Sequence, residues 1–316
     1  MSTRNTTIDS ARSLAMLYII AFWHLSGYSG VFTIPYGDYI KNAALGLFML
    51  VSGYLLGAKY KIQSVQDAWV FIKKRFFRLY PLYALSLLLF WGHSAISTHT
   101  LLYSLIGVSS FIPPQPPTLW FVSMLLVFYV IFIFLSGRKK TYQILFSVLI
   151  YLFLFVICYQ SRTIDHRLLY YFPCFFLGMI ISDIPLNRWM RGGAGVIAIV
   201  LFITGIILLE SVQLSFIPRR LTRCIIALTG SYFVFALARL FEKIPRINKC
   251  FIPLSYASMA AYMFHRQIFS AIRMVYWPEP SAWKVVFLYV VCVPIVLGIG
   301  YLVQFVYDKL LKRMQI

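Results

Sequence analysis

Charge is what this chain has least of. Of its 316 residues only 12% are charged, and only 9 are Asp or Glu. Soluble globular chains carry roughly 25% charged residues, so a surface solvated on all sides is excluded. Two soluble domains, which the length alone would suggest, are excluded with it. Hydrophobic residues make up 61% of the chain and the mean hydropathy is +0.80. Most of the outside must therefore face lipid, and intrinsic disorder is ruled out by the same numbers. Cysteine is also scarce. Cys158, Cys174, Cys224, Cys250 and Cys292 show no paired spacing, which argues against a zinc or redox site. Four of them lie in apolar runs and read as buried thiols. No small-residue cleavage site follows the first apolar stretch, so the first helix is expected to stay on the chain.

The scarce charge is lopsided: 29 Lys and Arg against 9 Asp and Glu, a net +20. A nucleic-acid binder would gather such an excess on one face. Here the basic residues sit in short clusters between apolar runs, which fits contact with anionic lipid headgroups rather than nucleic acid. Only a few remain for an anionic cofactor.

A spanning helix needs about 20 mostly apolar residues. Ten segments qualify: 10–31, 40–58, 75–92, 118–136, 141–160, 167–183, 193–211, 221–240, 251–272 and 284–307. The expectation is an all-α, polytopic transmembrane bundle forming a single domain over 1–316. With both termini placed inside the cell, twenty of the 29 basic residues fall on the cytoplasmic side and nine on the other. That bias supports an N-in, C-in arrangement in the cytoplasmic membrane. The connection 93–117 is uncharged and ends in Pro113-Pro114-Gln115-Pro116-Pro117. Its run Leu101 to Phe111 is too short to span and reads as interfacial or re-entrant.

Ionisable residues inside spans are functional candidates by default. The first segment holds Asp9, Arg12 and His24. At ~1.5 Å per residue, His24 lies ~18 Å beyond Arg12, past the middle of the membrane. A buried imidazole there is either a hydrogen-bonded structural residue or a general base. Arg75 and Arg78, three apart, share a helical face at the expected start of the third helix. They serve either as a positive-inside anchor or as guanidinium forks suited to phosphates. Pro81 is tolerated early in such a helix. Asp9 is expected to form a salt bridge or cap the first helix. Glu210 and Asp183, at span ends, read as solvated, as do His93, His99 and His166 at loop ends.

These residues, taken in order, resemble the acyltransferase-3 family of integral membrane acyltransferases. The resemblance covers nearly the whole chain. The first helix carries Asp-x-x-Arg…His at Asp9, Arg12 and His24. A Phe-x-x-x-Ser-Gly-Tyr-Leu stretch runs from Phe48 to Leu55. Arg75-x-x-Arg78 with Pro81 follows, then Leu119-Trp120-Phe121-Val122-Ser123 and Phe176-Leu177-Gly178-Met179. A late Ser…Tyr-x-x-His ends at Tyr262 and His265. The resemblance implies acetyl-CoA as donor, a cell-surface or lipid-linked glycan hydroxyl as acceptor, and His24 as base or acyl carrier. Arg12, Arg75 and Arg78 would face the CoA phosphates. Trp120, Ser123, Tyr262, His265 and Asp9 would line or support the site. Trp120 can also be a belt residue, and Ser123 can merely bond its own backbone. No metal-ligand spacing and no Ser/His/Asp order offers a rival centre.

A transporter or flippase for a glycan or lipid intermediate is the competing class. It should show interrupted helices at matching positions in two halves, and no such duplication is present. A sensor or scaffold without chemistry would not need the deep histidine. One water-filled cavity is expected, lined by His24 and the starts of the third and fourth helices. The spacing in the first helix departs from the family, which usually places eleven steps between arginine and histidine. Arg12 to His24 is twelve. At ~100° per residue twelve steps leave the two ~120° apart. Either a π-bulge between Ala15 and Phe22 absorbs one residue, or Arg12 lies before the helix, or Arg12 is only an anchor.

Overall fold

The computed structural model describes residues 5–30, 32–161, 163–185, 194–242 and 244–314. It is helical, with no strand among the described residues. Helix α1 (Thr6–Leu17) runs on through a π-helical segment (Tyr18–His24) into α2 (Leu25–Ser29). Then come α3 (Gly37–Lys59), α4 (Val65–Gly92), α5 (Thr98–Leu105), α6 (Trp120–Leu135) and α7 (Lys140–Gln160). These are followed by α8 (Arg167–Ile180), α9 (Ala194–Ser211), α10 (Phe216–Glu242) and α11 (Pro245–Val275). Last, α12 (Ser281–Phe287) continues through a second π segment (Leu288–Cys292) into α13 (Val293–Arg313).

Each segment expected to span has a helix, although residues 31 and 193 lie outside the described residues, as do Arg4, Arg162, Arg188, Arg191 and Lys243 of the charge count. Among the described residues four helices are long and apolar enough to cross a membrane: Gly37–Lys59, Lys140–Gln160, Phe216–Phe241 and the continuous Ser281–Arg313. Trp120–Leu135, Arg167–Ile180 and Gly195–Ser211 are apolar but shorter. The outward faces fit lipid. Only 17% of the most apolar stretch of α7 is buried, and Ile144, Leu149, Leu152 and Phe153 point outward.

Helix starts differ from expectation in two places. Asn5, not Asp9, caps α1, its side chain accepting from the Ile8 N–H at 3.2 Å. The helix begins at Thr6, so Asp9 already lies inside it, buried, and accepts from the Ser255 hydroxyl at 2.7 Å. Helix α4 starts at Val65 rather than near 75. A reciprocal cap, Ser64 with Asp67, sets that start. The hydrogen bond from Ser64, with the Gln63 and Ser64 N–H groups, holds the Asp67 carboxyl below its ordinary range. Arg75 and Arg78 therefore sit mid-helix, and Pro81 lies inside α4.

Two motif glycines explain the tightest packing. A Cβ on Gly53 of α3 would lie 1.9 Å from the Phe175 carbonyl oxygen, and one on Gly178 of α8 would lie 2.1 Å from that of Leu50. The two backbones meet with nothing between them, the small-residue packing used where lipid gives helices no hydrophobic reason to associate.

Helix directions follow from which residues meet. Along α1 and α11, Ser13 bonds the Phe251 carbonyl, Arg12 bonds Ser258 and His24 bonds His265, so these two run parallel. So do α3 and α8, where Asn42 meets Tyr171 and Tyr54 meets Ile184. Helices α11 and α13 run antiparallel: Tyr256 bonds Asp308, and Gly300 abuts Ala261. The 93–117 connection folds back on α4, whose Tyr80 and Tyr83 hydroxyls donate to the carbonyls of Leu105 and Ser104, at the end of α5.

Candidate active site

The π segment decides where the first-helix residues point. A π turn takes up one residue beyond the α-helical count, so the twelve steps from Arg12 to His24 turn as eleven would. Both side chains then meet α11. The Arg12 guanidinium donates to the Ser258 hydroxyl at 2.8 Å, and the His24 ring lies 2.9 Å, Nδ1 to Nε2, from His265. The extra residue is accommodated against the second π segment: Ile20, Ala21 and Leu25 pack on Leu288 and Cys292, and Phe22 meets Tyr289 edge-on.

Two cavities, not the single one expected, flank α1 and α11, and they share no lining residue. One, of about 320 Å³, is lined by Asp9, Arg12, Arg75, Arg78, Tyr129, Ser255, Tyr256, Gln304 and Asp308. The other, of about 420 Å³, is lined by Trp23, His24, Lys41, Gln115, Thr118, Trp120, Arg167, Tyr262 and Arg266. They separate because buried Ala15 and Met16 fill the interior along α1 between Arg12 and His24. The start of α6 joins His24, while Arg75 and Arg78 of α4 belong to the other cavity.

In the arginine cavity the three guanidinium groups converge from two helices. Arg75 stands over the Tyr60 ring, donates to its hydroxyl at 3.2 Å, and keeps a buried Nε with no partner. Of the carboxylates there, Asp308 is engaged by Tyr256 at 2.6 Å and Gln304 at 2.9 Å. With no helix N-terminus at Arg75 and Arg78, the positive charge that would meet an anion here comes from the guanidinium forks.

In the histidine cavity the proton positions follow from one carbonyl. His265 Nδ1 lies 2.7 Å from the Tyr262 carbonyl oxygen, which can only accept. His265 Nδ1 therefore carries the hydrogen and its Nε2 is bare. His24 Nδ1 must then donate to that Nε2, which leaves His24 Nε2 without a hydrogen and able to accept one. His265 is fully buried, and His24 opens on the cavity. Tyr262 donates from its hydroxyl to the Thr118 carbonyl at 2.8 Å, and Thr118 holds a left-handed backbone (φ 60). That conformation is uncommon for a β-branched residue. Trp120 is a wall of this cavity, sandwiched by Arg167 at 3.7 Å and stacked on Tyr171.

Ser123 is not at either cavity. It is fully buried, bonded to Tyr83 at 2.6 Å and Ser109 at 3.0 Å, and ties α4 to the 93–117 connection. One smaller expectation also changes: His166 is half-buried against Phe216. Glu210 is exposed, as expected, and accepts from Tyr39 at 2.6 Å. Asp183 is exposed and pairs with Lys140 at 3.0 Å. The residue patterns did not single out Lys41, Gln115, Arg167 and Arg266, nor Tyr129, Gln304 and Asp308. The available signals were Arg266 directly after the Tyr-x-x-His and the polar pair Gln304 and Asp308, four apart in an apolar helix.

A helical fold with lipid-facing sides, an arginine cavity and a histidine cavity threaded on the same two helices defines a membrane protein built around an internal polar centre. A family model described as an acyltransferase domain matches residues 5–303. The chain belongs to the acyltransferase-3 family and is a membrane acyltransferase. Comparison with curated proteins and with solved structures returned no match.

Proposed function

We propose that the protein moves an acetyl group from cytoplasmic acetyl-CoA to a hydroxyl of a cell-surface or lipid-linked glycan. The observation that carries this is the pairing of the cavities. Three guanidinium groups gather at one, and an imidazole whose Nε2 carries no hydrogen opens on the other, along the same helix. The residues fit CoA. Its phosphates suit forks better than point charges, and its thioester sits at the end of a long thin arm, far from those phosphates. Arg12, Arg75 and Arg78 would hold the phosphates, and the packing between the cavities, Ala15 and Met16 included, would part for the arm to follow α1 towards His24.

His24 Nε2 takes the proton of the acceptor hydroxyl as its oxygen attacks the thioester carbonyl. The carbon–sulfur bond breaks, and CoA leaves as the thiolate. The imidazolium so formed is stabilised through its Nδ1–H by His265, and it returns its proton to the thiolate or to solvent. In the acyl-carrier variant the same lone pair attacks the thioester first. Trp120 and Tyr262 shape the wall against which the acceptor lies. Ten crossings with both termini cytoplasmic suit this reading. Counted as expected spans, parallel contacts join the first to the ninth (α1 to α11) and the second to the sixth (α3 to α8), and the ninth and tenth (α11 and α13) are antiparallel, as alternation across a membrane requires.

The test is purified full-length protein in nanodiscs, supplied with labelled acetyl-CoA. Thioester hydrolysis or transfer to glycan is expected. His24→Ala should lower it by about 10²- to 10⁴-fold at normal expression and CoA binding. Full activity in that variant would refute the mechanism, and absence of any acetyl-CoA turnover or binding in the parent would refute the donor.

A further inference from the structure

The histidine cavity is more cationic than a neutral sugar requires. Lys41, Arg167 and Arg266 all line it, and no Asp or Glu does. Two of the three are compensated from behind. Lys41 pairs with Asp38, which also receives Arg223 at 2.7 Å, and stands 4.4 Å over the Trp23 ring. Arg167 is held by Asp165 at 2.8 and 2.9 Å and by Gln115. Arg266 is different. It follows His265 on α11, it is half-buried, and its Nε is shut off from water without a hydrogen-bond partner. Among the described residues it has no carboxylate within ion-pairing distance. It lines the cavity with His24, and it also lines an adjoining recess formed by Trp23, His24, Ser26 and Tyr28.

A half-buried guanidinium with no counter-charge beside it is poorly compensated, and a buried Nε–H left unmet costs more than the average hydrogen bond returns. A fork of this kind beside the reacting group is complementary to an oxyanion. We infer that the acceptor carries an anionic oxygen group, a carboxylate or a phosphate, close to the hydroxyl that is acylated, and that Arg266 receives it. This deepens the proposed function and rests on it only for the word acceptor. The anion site itself stands on the cavity. A carboxylate would come from an acidic sugar and a phosphate from the link between glycan and lipid. Lys41 and Arg223 share the single carboxylate of Asp38, and the net positive charge left there draws either one in.

The experiment uses the full chain in nanodiscs and three probes: methyl β-D-glucoside, methyl β-D-glucuronoside and glucose 1-phosphate. Binding is followed by tryptophan fluorescence, since Trp23 and Trp120 line the cavity, and acetyl transfer is measured on the same samples. The ratio of neutral to anionic dissociation constants is expected to be about ten- to a hundredfold for at least one anionic probe. The preferred probe identifies the source. The ratio should fall to about one in Arg266→Gln and persist in Arg75→Gln, which changes only the other cavity. A ratio near one in the parent protein overturns the inference whether or not the Gln variant assembles. So does a ratio that survives Arg266→Gln or disappears in Arg75→Gln, because the anion then binds elsewhere. If the expected ratios are found with no acetyl transfer or acetyl-CoA turnover, the acyl-transfer reading fails and the anion site stands.

Discussion

Removing His265 should slow the reaction without touching either substrate, by an amount the hydrogen-bond chain sets. The Tyr262 carbonyl can only accept, which orders the protons through His265 to His24. In His265→Leu the His24 Nδ1–H loses its acceptor. In the resting state that is a neutral hydrogen bond, worth about 0.5–1.5 kcal/mol. When His24 takes the substrate proton the same bond becomes charge-assisted, worth about 1.5–3 kcal/mol. Only the gain between the two states, about 1–1.5 kcal/mol, counts against the barrier, so kcat should fall by roughly 5- to 13-fold. His265→Gln keeps an acceptor within reach and should recover part of this. The assay is acetyl transfer in membranes, normalised to folded protein, with KM for donor and acceptor measured alongside. A positioning residue that acts only through His24 adds nothing once His24 is gone. The double variant His24→Ala, His265→Leu should therefore be no slower than His24→Ala alone. Losses that multiply in the double variant, or a Gln variant as slow as Leu, would refute the proton order deduced here.

Two further outcomes are expected. Gly178→Ala places a methyl 2.1 Å from the Leu50 carbonyl oxygen, 1.3 Å short of the 3.4 Å at which ordinary contact begins. Helices α3 and α8 must part, so thermal unfolding in detergent should show a loss of about 1–3 kcal/mol or more. Gly298→Ala, with nothing within 4 Å, should show none, and equal behaviour of the two would contradict the close packing. Arg75→Lys should raise KM for acetyl-CoA by roughly tenfold with kcat little changed, because a point charge replaces a fork whose Nε is buried without a partner. An unchanged KM would remove Arg75 from the donor site.

What the sequence determined by itself was set by composition and by period. Ten apolar stretches are helices because a chain in lipid must satisfy its own backbone, and only a helix does so within one segment. The helix defect was legible as one of three alternatives. Twelve steps between Arg12 and His24 do not share a face on a regular helix, and the π segment Tyr18–His24 takes up the surplus residue. Local chemistry was readable too, but it was misjudged: Ser64 and Asp67 start α4 a full ten residues ahead of Arg75, and Asn5 starts α1 ahead of Asp9.

The tertiary structure alone decided what faces what. Lys41, Arg167 and Arg266 count equally as basic residues near span ends when read along the chain. Only the packing of α3, α8 and α11 around α1 brings all three to the cavity beside His24, and only the positions of Asp38 and Asp165 leave Arg266 without a counter-charge. Ser123, three residues from Trp120 in one motif, is turned by the helix into a buried network with Tyr83 and Ser109. The proton order along Tyr262, His265 and His24 depends on a contact between residues 241 apart in the sequence. Hydrogen-bond direction is set by distances of a few ångströms, and residue patterns along a single helix carry no information about those distances across the bundle.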